Sequence, residues 1–243
     1  MTAAVRLFIV IPVYDEAANL RPLWLELADV LRELELTAEV IFVDDGSTDG
    51  SGALIRELAG TDKRIRLIRF AANAGLTAAF HAGFRAARGE IVVTMDADLQ
   101  NDPRDIGPLL RHLDGFDAAV GWRRDRHDPW LKRVSSTVAN TIRNIVSGDR
   151  VHDSACSLRV MRRECLEALP PFQGMHRFVP TLLRIAGHRV IEVPVGHRPR
   201  RSGRSKFTVR GRAVAAFEDL LAVCWMMKRR IRYCVVEEID GGG

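Results

Sequence analysis

The first hundred residues alternate between short apolar runs of β-forming residues and amphipathic stretches at helical spacing. Few folds accept that pattern. Strands are expected at Leu7 to Val13, Val40 to Val43, Ile65 to Arg69 and Ile91 to Met95, with helices between them at Leu20 to Leu34, Gly50 to Leu58 and Gly75 to Ala87. Strand and helix in strict succession mean crossover connections, so the expected architecture is α/β, an open, mostly parallel sheet flanked by helices. Two of these strands run into acids: Val43 into Asp44 and Asp45, Met95 into Asp96, Ala97 and Asp98. Ligands of open α/β sheets bind outside the carboxyl ends of the strands, so both acidic pairs should face one crevice.

After Pro103 the alternation weakens. A helix is expected over Ile106 to Leu113, a strand over Ala118 to Val120, and an amphipathic helix over Trp130 to Val146. A further helix spans Phe178 to Ala186, a strand Arg189 to Pro194, and the Arg- and Ser-rich stretch Arg198 to Lys206 reads as a mobile loop. The 243 residues suit one large domain with a small appendage. The expected division is a main domain over 1–212, amphipathic helices over 213–240 and a flexible tail at 241–243.

Apolar residues make up 47% of the chain and charged ones 28%, which excludes general disorder. The net charge of +5 is gathered at Arg123 to Arg133, Arg198 to Arg212 and Lys228 to Arg232, which suits phosphate-bearing partners: a nucleotide diphosphate, an anionic membrane or a nucleic acid. The four cysteines form no CxxC pair and read as reduced thiols. The run Leu7 to Val13 is cut off by Asp15 and Glu16, as in a strand and unlike a signal peptide. No uncharged apolar stretch approaches the ~20 residues that cross a bilayer; Leu220 to Met227 stops at Lys228. The expected setting is cytoplasmic, with the chain soluble or lying on a membrane.

Asp96-Ala97-Asp98 at a strand end offers carboxylates to a hard cation such as Mg²⁺ or Mn²⁺, provided that a turn at Asp98 brings Asp98 and Gln100 together. A plain Asp-rich turn or helix cap serves the same residues. Asp44 and Asp45 can accept from a ribose hydroxyl or a base N–H, while Ser47, Thr48 or Asp49 caps the next helix. Tyr14 offers a ring to a base and Glu16 a carboxylate to a hydroxyl; Asn19 is a helix-cap candidate.

Together these stretches resemble the family-two inverting glycosyltransferases, in particular the dolichyl-phosphate mannose synthase and polyprenyl-phosphate sugar transferase branch. The likeness rests on Ile11-Pro-Val-Tyr-Asp-Glu16, Val43-Asp-Asp-Gly-Ser-Thr-Asp49, Asn73-Ala-Gly75, Met95-Asp-Ala-Asp-Leu-Gln-Asn-Asp-Pro103, Gly121-Trp-Arg123 and Arg201-Ser-Gly-Arg-Ser-Lys206, in order along the chain. It implies an A-type glycosyltransferase fold and a Mg²⁺- or Mn²⁺-dependent transfer of a hexose-type sugar from a nucleotide diphosphate sugar to a polyprenyl phosphate. By that resemblance Pro12, Tyr14, Glu16, Asp44, Asp45 and Asp96 line the nucleotide pocket. Asp98 and Gln100, with Asp96, hold the metal. Asp96, Asp98, Arg123, Arg201 and Lys206 carry the chemistry, and Arg123, Arg133, Ser135 and Asp153 face the acceptor phosphate.

A lipid monophosphate is already an anion at neutral pH, so the transfer needs a cationic cradle and no base. Many relatives have Gly-Phe where this chain has Ser157-Leu158, which leaves the role of Ser157 open. His176 and Arg177 either touch the donor sugar or cap their turn, and the histidines form no metal set. Trp130 and Trp225, near Lys and Arg, fit helices in a membrane interface, or ordinary packing. A separate membrane-protein partner and self-association are both compatible with a chain this short. Two rivals stand beside this reading: transfer to a saccharide or protein hydroxyl, with Asp153 as base, and a non-catalytic basic module for membrane or nucleic acid. Nucleic acid is not expected, because acids at two strand ends repel a polyanion.

Overall fold

A computed structural model describes residues 7–123, 151–153, 156–199 and 209–229 of the chain, the side chains of 209–217 excepted. The strands are β1 (Leu7–Val13), β2 (Ala38–Asp44), β3 (Ile65–Arg69), β4 (Ile91–Thr94), β5 (Ala118–Arg123), β6 (Arg159–Arg162) and β7 (Val190–Val195). They form one sheet in the order β3-β2-β1-β4-β6-β5-β7. The pairs β3–β2, β2–β1, β1–β4 and β5–β7 are parallel, and β6 lies antiparallel to both neighbours. The expected mostly parallel α/β sheet is the one observed.

All seven residues of β1 are buried, and they alternate between two cores. Leu7, Ile9, Ile11 and Val13 meet α1 (Ala17–Glu33), α2 (Ser51–Thr61) and α4 (Ile106–Arg111) on one face. Phe8 and Val10 meet α3 (Leu76–Ala86), α5 (Val179–Ala186) and α6 (Val209–Lys228) on the other. This is why the strand reads as a continuous apolar run without polar alternation. Each such aliphatic side chain contributes on the order of 1.5–3 kcal/mol of burial free energy.

The boundaries that depart from expectation have local causes. The strand expected to reach Met95 ends at Thr94, because Val10 pairs with Thr94 and accepts from Met95 N, and the next rung needs an N–H that Pro12 lacks. The chain is released there into the Asp96–Asp98 loop. Helix α1 starts at Ala17, three residues early, because Asp49 Oδ2 accepts from Ala17 N at 2.9 Å. Asn19 therefore lies inside the helix, where its amide donates to Glu16 Oε2 at 2.5 Å. Pro194 sits in β7, at the sheet's edge, where a missing N–H costs no ladder.

Two expectations near the C-terminus change. Arg198, placed in a mobile loop, is pinned by Glu26 Oε2 and Asp102 Oδ2, both at 2.5 Å. The expected division after residue 212 falls inside α6, whose Leu220 and Val223 are buried in the second core while Leu221 and Trp225 stand 50% and 62% exposed. The stretches expected at Trp130 to Val146 and 241–243 lie outside the described residues.

Helix packing against β1 sets a contrast between two glycines. A Cβ on Gly83, in α3, would fall 2.2 Å from Val10 Cγ1, whereas one on Gly60, in α2, would meet nothing within 4 Å. Gly83→Ala should lower unfolding stability by about 1–3 kcal/mol through overpacking. Gly60→Ala should raise it by about 0.5–1 kcal/mol through helix propensity. Urea denaturation of both variants checks the pair.

Candidate active site

Three βα loops meet at the carboxyl ends of β1, β2 and β4, and side chains of one loop satisfy the backbone of the next. Asp15 N donates to Ser47 Oγ at 2.9 Å, Thr48 N to Asp15 Oδ1 at 2.7 Å, and Glu16 N to Ser51 Oγ at 3.0 Å. The N-cap of α2 is Gly50, which has no side chain to cap with, and Asp49, one residue earlier, accepts from Ser51 N through Oδ1 at 2.9 Å. Burial works against the charged form of Asp49, but hydrogen bonds from Ser51 and Ala17 outweigh it and hold its carboxyl below the usual range. The first loop is thereby fixed against the second, with Tyr14 37% exposed at its tip. Pro12 is buried within β1.

The two acids after β2 do different work. Asp44 is fully buried: Oδ1 accepts from Ser47 N at 2.9 Å, and Oδ2 lies 3.0 Å from Arg69 Nε without accepting a hydrogen bond. Arg69, a residue that no motif marks, and Gly52 of α2 both pack against Oδ2. Asp45 accepts from Ala74 N at 2.7 Å, Gly75 N at 2.9 Å and Asn73 Nδ2 at 3.0 Å, so its carboxylate organises the 73–75 loop. Gly46, at φ +74°, lets that loop come close: a Cβ there would stand 2.6 Å from Ala72 C.

The Asp96–Gln100 loop makes the turn that its sequence suggests. Gln100 N donates to Asp98 Oδ1 at 3.1 Å, and Leu99 between them adopts φ 62°. A bulky residue in the left-handed region stores about 1–3 kcal/mol, which persists because the Leu99 side chain is buried in the first core. Asp98 is buried and Asp96 retains an open edge. Burial, and after it the charge of Asp98, push the Asp96 carboxyl up to about 6, against a hydrogen bond from Ser157 and the charges of Arg159 and Arg123. Two crowded carboxylates fit a hard divalent cation, which takes one or two protein carboxylates and completes its shell with phosphate oxygens and water. No cluster of three or more His, Cys, Asp or Glu suited to a metal occurs among the described residues. Gln100 Nε2 lies 3.3 Å from His197 Nε2 and 3.4 Å from the Arg198 carbonyl, so its Oε1 is the atom able to ligate. His197, buried beside Gln100, was not singled out by any sequence motif.

On the far side of the crevice Arg123 and Asp153 form a buried bidentate pair, with Nε to Oδ2 at 2.6 Å and a terminal nitrogen to Oδ1 at 3.0 Å. Asp153 thus orients Arg123. His176 bonds Thr77 Oγ1 at 2.7 Å and Arg177 pairs with Asp219 at 2.9 Å, so both hold their turn against α3 and α6. Cys156 is buried, as a small apolar residue would be. Arg133, Ser135, Arg201 and Lys206 lie outside the described residues, as does Trp130.

The sequence profile of glycosyl transferase family 2 matches residues 8–169. The chain belongs to glycosyl transferase family 2. Among its relatives in that family are a dodecaprenyl-phosphate galacturonate synthase of Rhizobium johnstonii, 34% identical over 94% of this chain and 69% of the relative. Another is an undecaprenyl-phosphate 4-deoxy-4-formamido-L-arabinose transferase of Aeromonas hydrophila, 37% identical over 82% of this chain and 62% of the relative. The family-two chain thus spans roughly two-thirds of the length of these relatives, 69% and 62%. Its fold matches glucosyl-3-phosphoglycerate synthase of Mycobacterium tuberculosis, solved with Mn²⁺ and UDP-glucose, at a TM-score of 0.69 and 22% identity over 92% of this chain and 80% of that one. A mannosyltransferase of Pyrobaculum calidifontis, solved with GDP-Man and Mn²⁺, matches at 0.61 and 23% identity over 93% and 70%. The A-type glycosyltransferase fold expected for the family is therefore present.

The site sets two expected outcomes. Asp96 keeps a proton up to about 6 that an unfolded Asp loses near 3.8, so in metal-free protein this group favours the fold below that window and ceases to as pH rises through it. A Mn²⁺ ion held by Asp96 would compete with the same proton, so thermal stabilisation by Mn²⁺ should then be full above pH 7 and fade as pH falls through about 6. Differential scanning fluorimetry across pH reads it. Asp153→Ala strands the buried Arg123 and should cost about 3–5 kcal/mol in chemical denaturation.

Proposed function

We propose that this chain transfers a hexose-type sugar, with inversion, from a nucleotide diphosphate to a polyprenyl phosphate at the cytoplasmic face of a membrane. The observation that carries the donor half is the acid pair Asp96 and Asp98, crowded at the carboxyl ends of β1, β2 and β4 and ready to accept a cation. The acceptor half draws on relatives whose names place polyprenyl phosphates in their reactions.

Asp96, Asp98 and Gln100 Oε1 would hold Mg²⁺ or Mn²⁺, with His197 at the rim. When bound, that ion neutralises negative charge gathering on the diphosphate. Tyr14 at the crevice mouth would stack on the base, and Asp44, Asp45 and Glu16 shape the wall for base and ribose. A phosphate oxygen of the lipid attacks the anomeric carbon, the bond from that carbon to the diphosphate breaks, and its electron pair leaves with the nucleotide. Two anions must approach each other, and Arg123, held rigid by Asp153, offers fixed positive charge at that place. Arg133, Ser135, Arg201 and Lys206 are assigned to the same cradle by their positions in the family's motifs.

The rival with a hydroxyl acceptor needs a base. Asp153, the acid available for that role, is committed to Arg123 through both oxygens. A lipid monophosphate requires no base. No described helix is long and apolar enough to cross a membrane. Attachment would instead use α6, where exposed Leu221 and Trp225 lie beside exposed Lys228 and Arg229, a combination suited to an anionic interface.

Incubation with radiolabelled nucleotide sugars, a short polyprenyl phosphate and Mn²⁺ should move label into the organic phase, and EDTA should abolish the transfer. Asp98→Asn should lower the rate at least about 100-fold if it removes transition-state charge stabilisation. Label transferred to a saccharide but never to the lipid would refute the acceptor assignment.

A further inference from the structure

Glu192, in β7, carries a buried carboxylate that no step of the proposed chemistry uses: its side chain is 7% exposed. Its Oε1 accepts from His152 N at 3.0 Å, and its Oε2 lies 3.0 Å from His152 Nδ1 and 3.8 Å from Arg184 of α5. The His152 ring is stacked on Trp122, with centroids 5.3 Å apart, and the next residue, Asp153, holds Arg123 through both oxygens. Asp153 Oδ2 also accepts from Arg123 N at 3.3 Å. Trp122 and Arg123 are consecutive in β5, so their side chains leave opposite faces of the strand. The 151–153 segment therefore meets the end of β5 through two neighbouring side chains. Glu192, in register opposite Val120 of β5, ties that segment to the sheet.

We infer that Glu192 is a positioning residue for Arg123: by holding His152 at backbone and ring, it keeps Asp153 where both of its oxygens meet the guanidinium, and so fixes the charge that the acceptor phosphate meets. This rests on the acceptor reading above. A carboxylate near an anionic acceptor repels it, so Glu192 would be a liability if charge were its contribution. What it supplies is geometry: both oxygens are engaged by a single residue whose neighbour aims Arg123. The leverage is large, because a misplacement of about 1 Å costs a positioned reaction about 100-fold in rate.

The test uses the full chain with Mn²⁺, titrated calorimetrically with UDP or GDP and, in the presence of either nucleotide, with farnesyl phosphate, a short polyprenyl monophosphate. Glu192→Ala should weaken farnesyl phosphate binding about tenfold, as loss of a charge-assisted hydrogen bond does, and leave nucleotide binding within about twofold. Glu192→Gln keeps an oxygen for His152 N and should stay within about twofold of the unaltered chain for both ligands. In an Arg123→Gln background, Glu192→Ala should change farnesyl phosphate binding by less than about twofold, because the group through which it acts is gone. Three results overturn the inference: an undiminished effect of Glu192→Ala in that background, a loss in Glu192→Gln equal to that in Glu192→Ala, or equal weakening of nucleotide and farnesyl phosphate. Should Glu192→Ala not fold, Glu192→Asp, whose carboxylate is drawn back by a methylene, takes its place and should weaken farnesyl phosphate binding about threefold. Failure of the unaltered chain to bind farnesyl phosphate overturns the acceptor reading as well, whereas intact binding that Glu192→Ala leaves unmoved overturns this inference only.

Discussion

The crevice depends on β1 being buried on both faces and hydrogen-bonded on both edges. A strand so enclosed cannot shift register without turning its whole apolar set the wrong way, so its neighbours are fixed with it. Leu7 opposite Ala38 and Ile91, and Val13 opposite Asp44, bring the loops after β1, β2 and β4 to one line. Pro12 then ends the β1–β4 ladder one rung short. The acid-bearing loops after β2 and β4 therefore leave the sheet at the same end.

That frame was legible in the sequence because it is written in apolar periodicity. The four parallel strands and their crossover helices follow from runs such as Leu7 to Val13, and the turn joining Asp98 to Gln100 follows from residue types alone. What escaped was of another kind. Asp49 starts α1 early from a different loop, Arg198 straps its segment to Glu26 and Asp102, and Ser157 reaches Asn101 across 56 positions. Such bonds have no period and no spacing. They exist only once the sheet has folded, and polar residues at these positions look like ordinary loop composition beforehand. For α6, the side chains Leu220 and Val223 go into the core while Trp225 does not, so the packing reading holds for one side of the helix and the other side is exposed.

Charge is arranged around the crevice in two manners. The Arg123–Asp153 pair is self-satisfied: it costs desolvation but fixes a guanidinium in place. Asp96 and Asp98 are set against each other and gain from any cation that enters. The first arrangement holds a guanidinium's geometry, and the second leaves charge that responds to what binds.

The 73–75 loop carries a consequence of its own. Asp45 accepts two backbone N–H groups and one amide from it, and Gln173 Nε2 donates to the Ala74 carbonyl from outside at 3.3 Å. A loop whose polar groups are met by the protein has little residual freedom to lose. Whatever enters the crevice along that wall meets a surface already ordered, so the entropy of capture falls on the ligand and on the opposite rim.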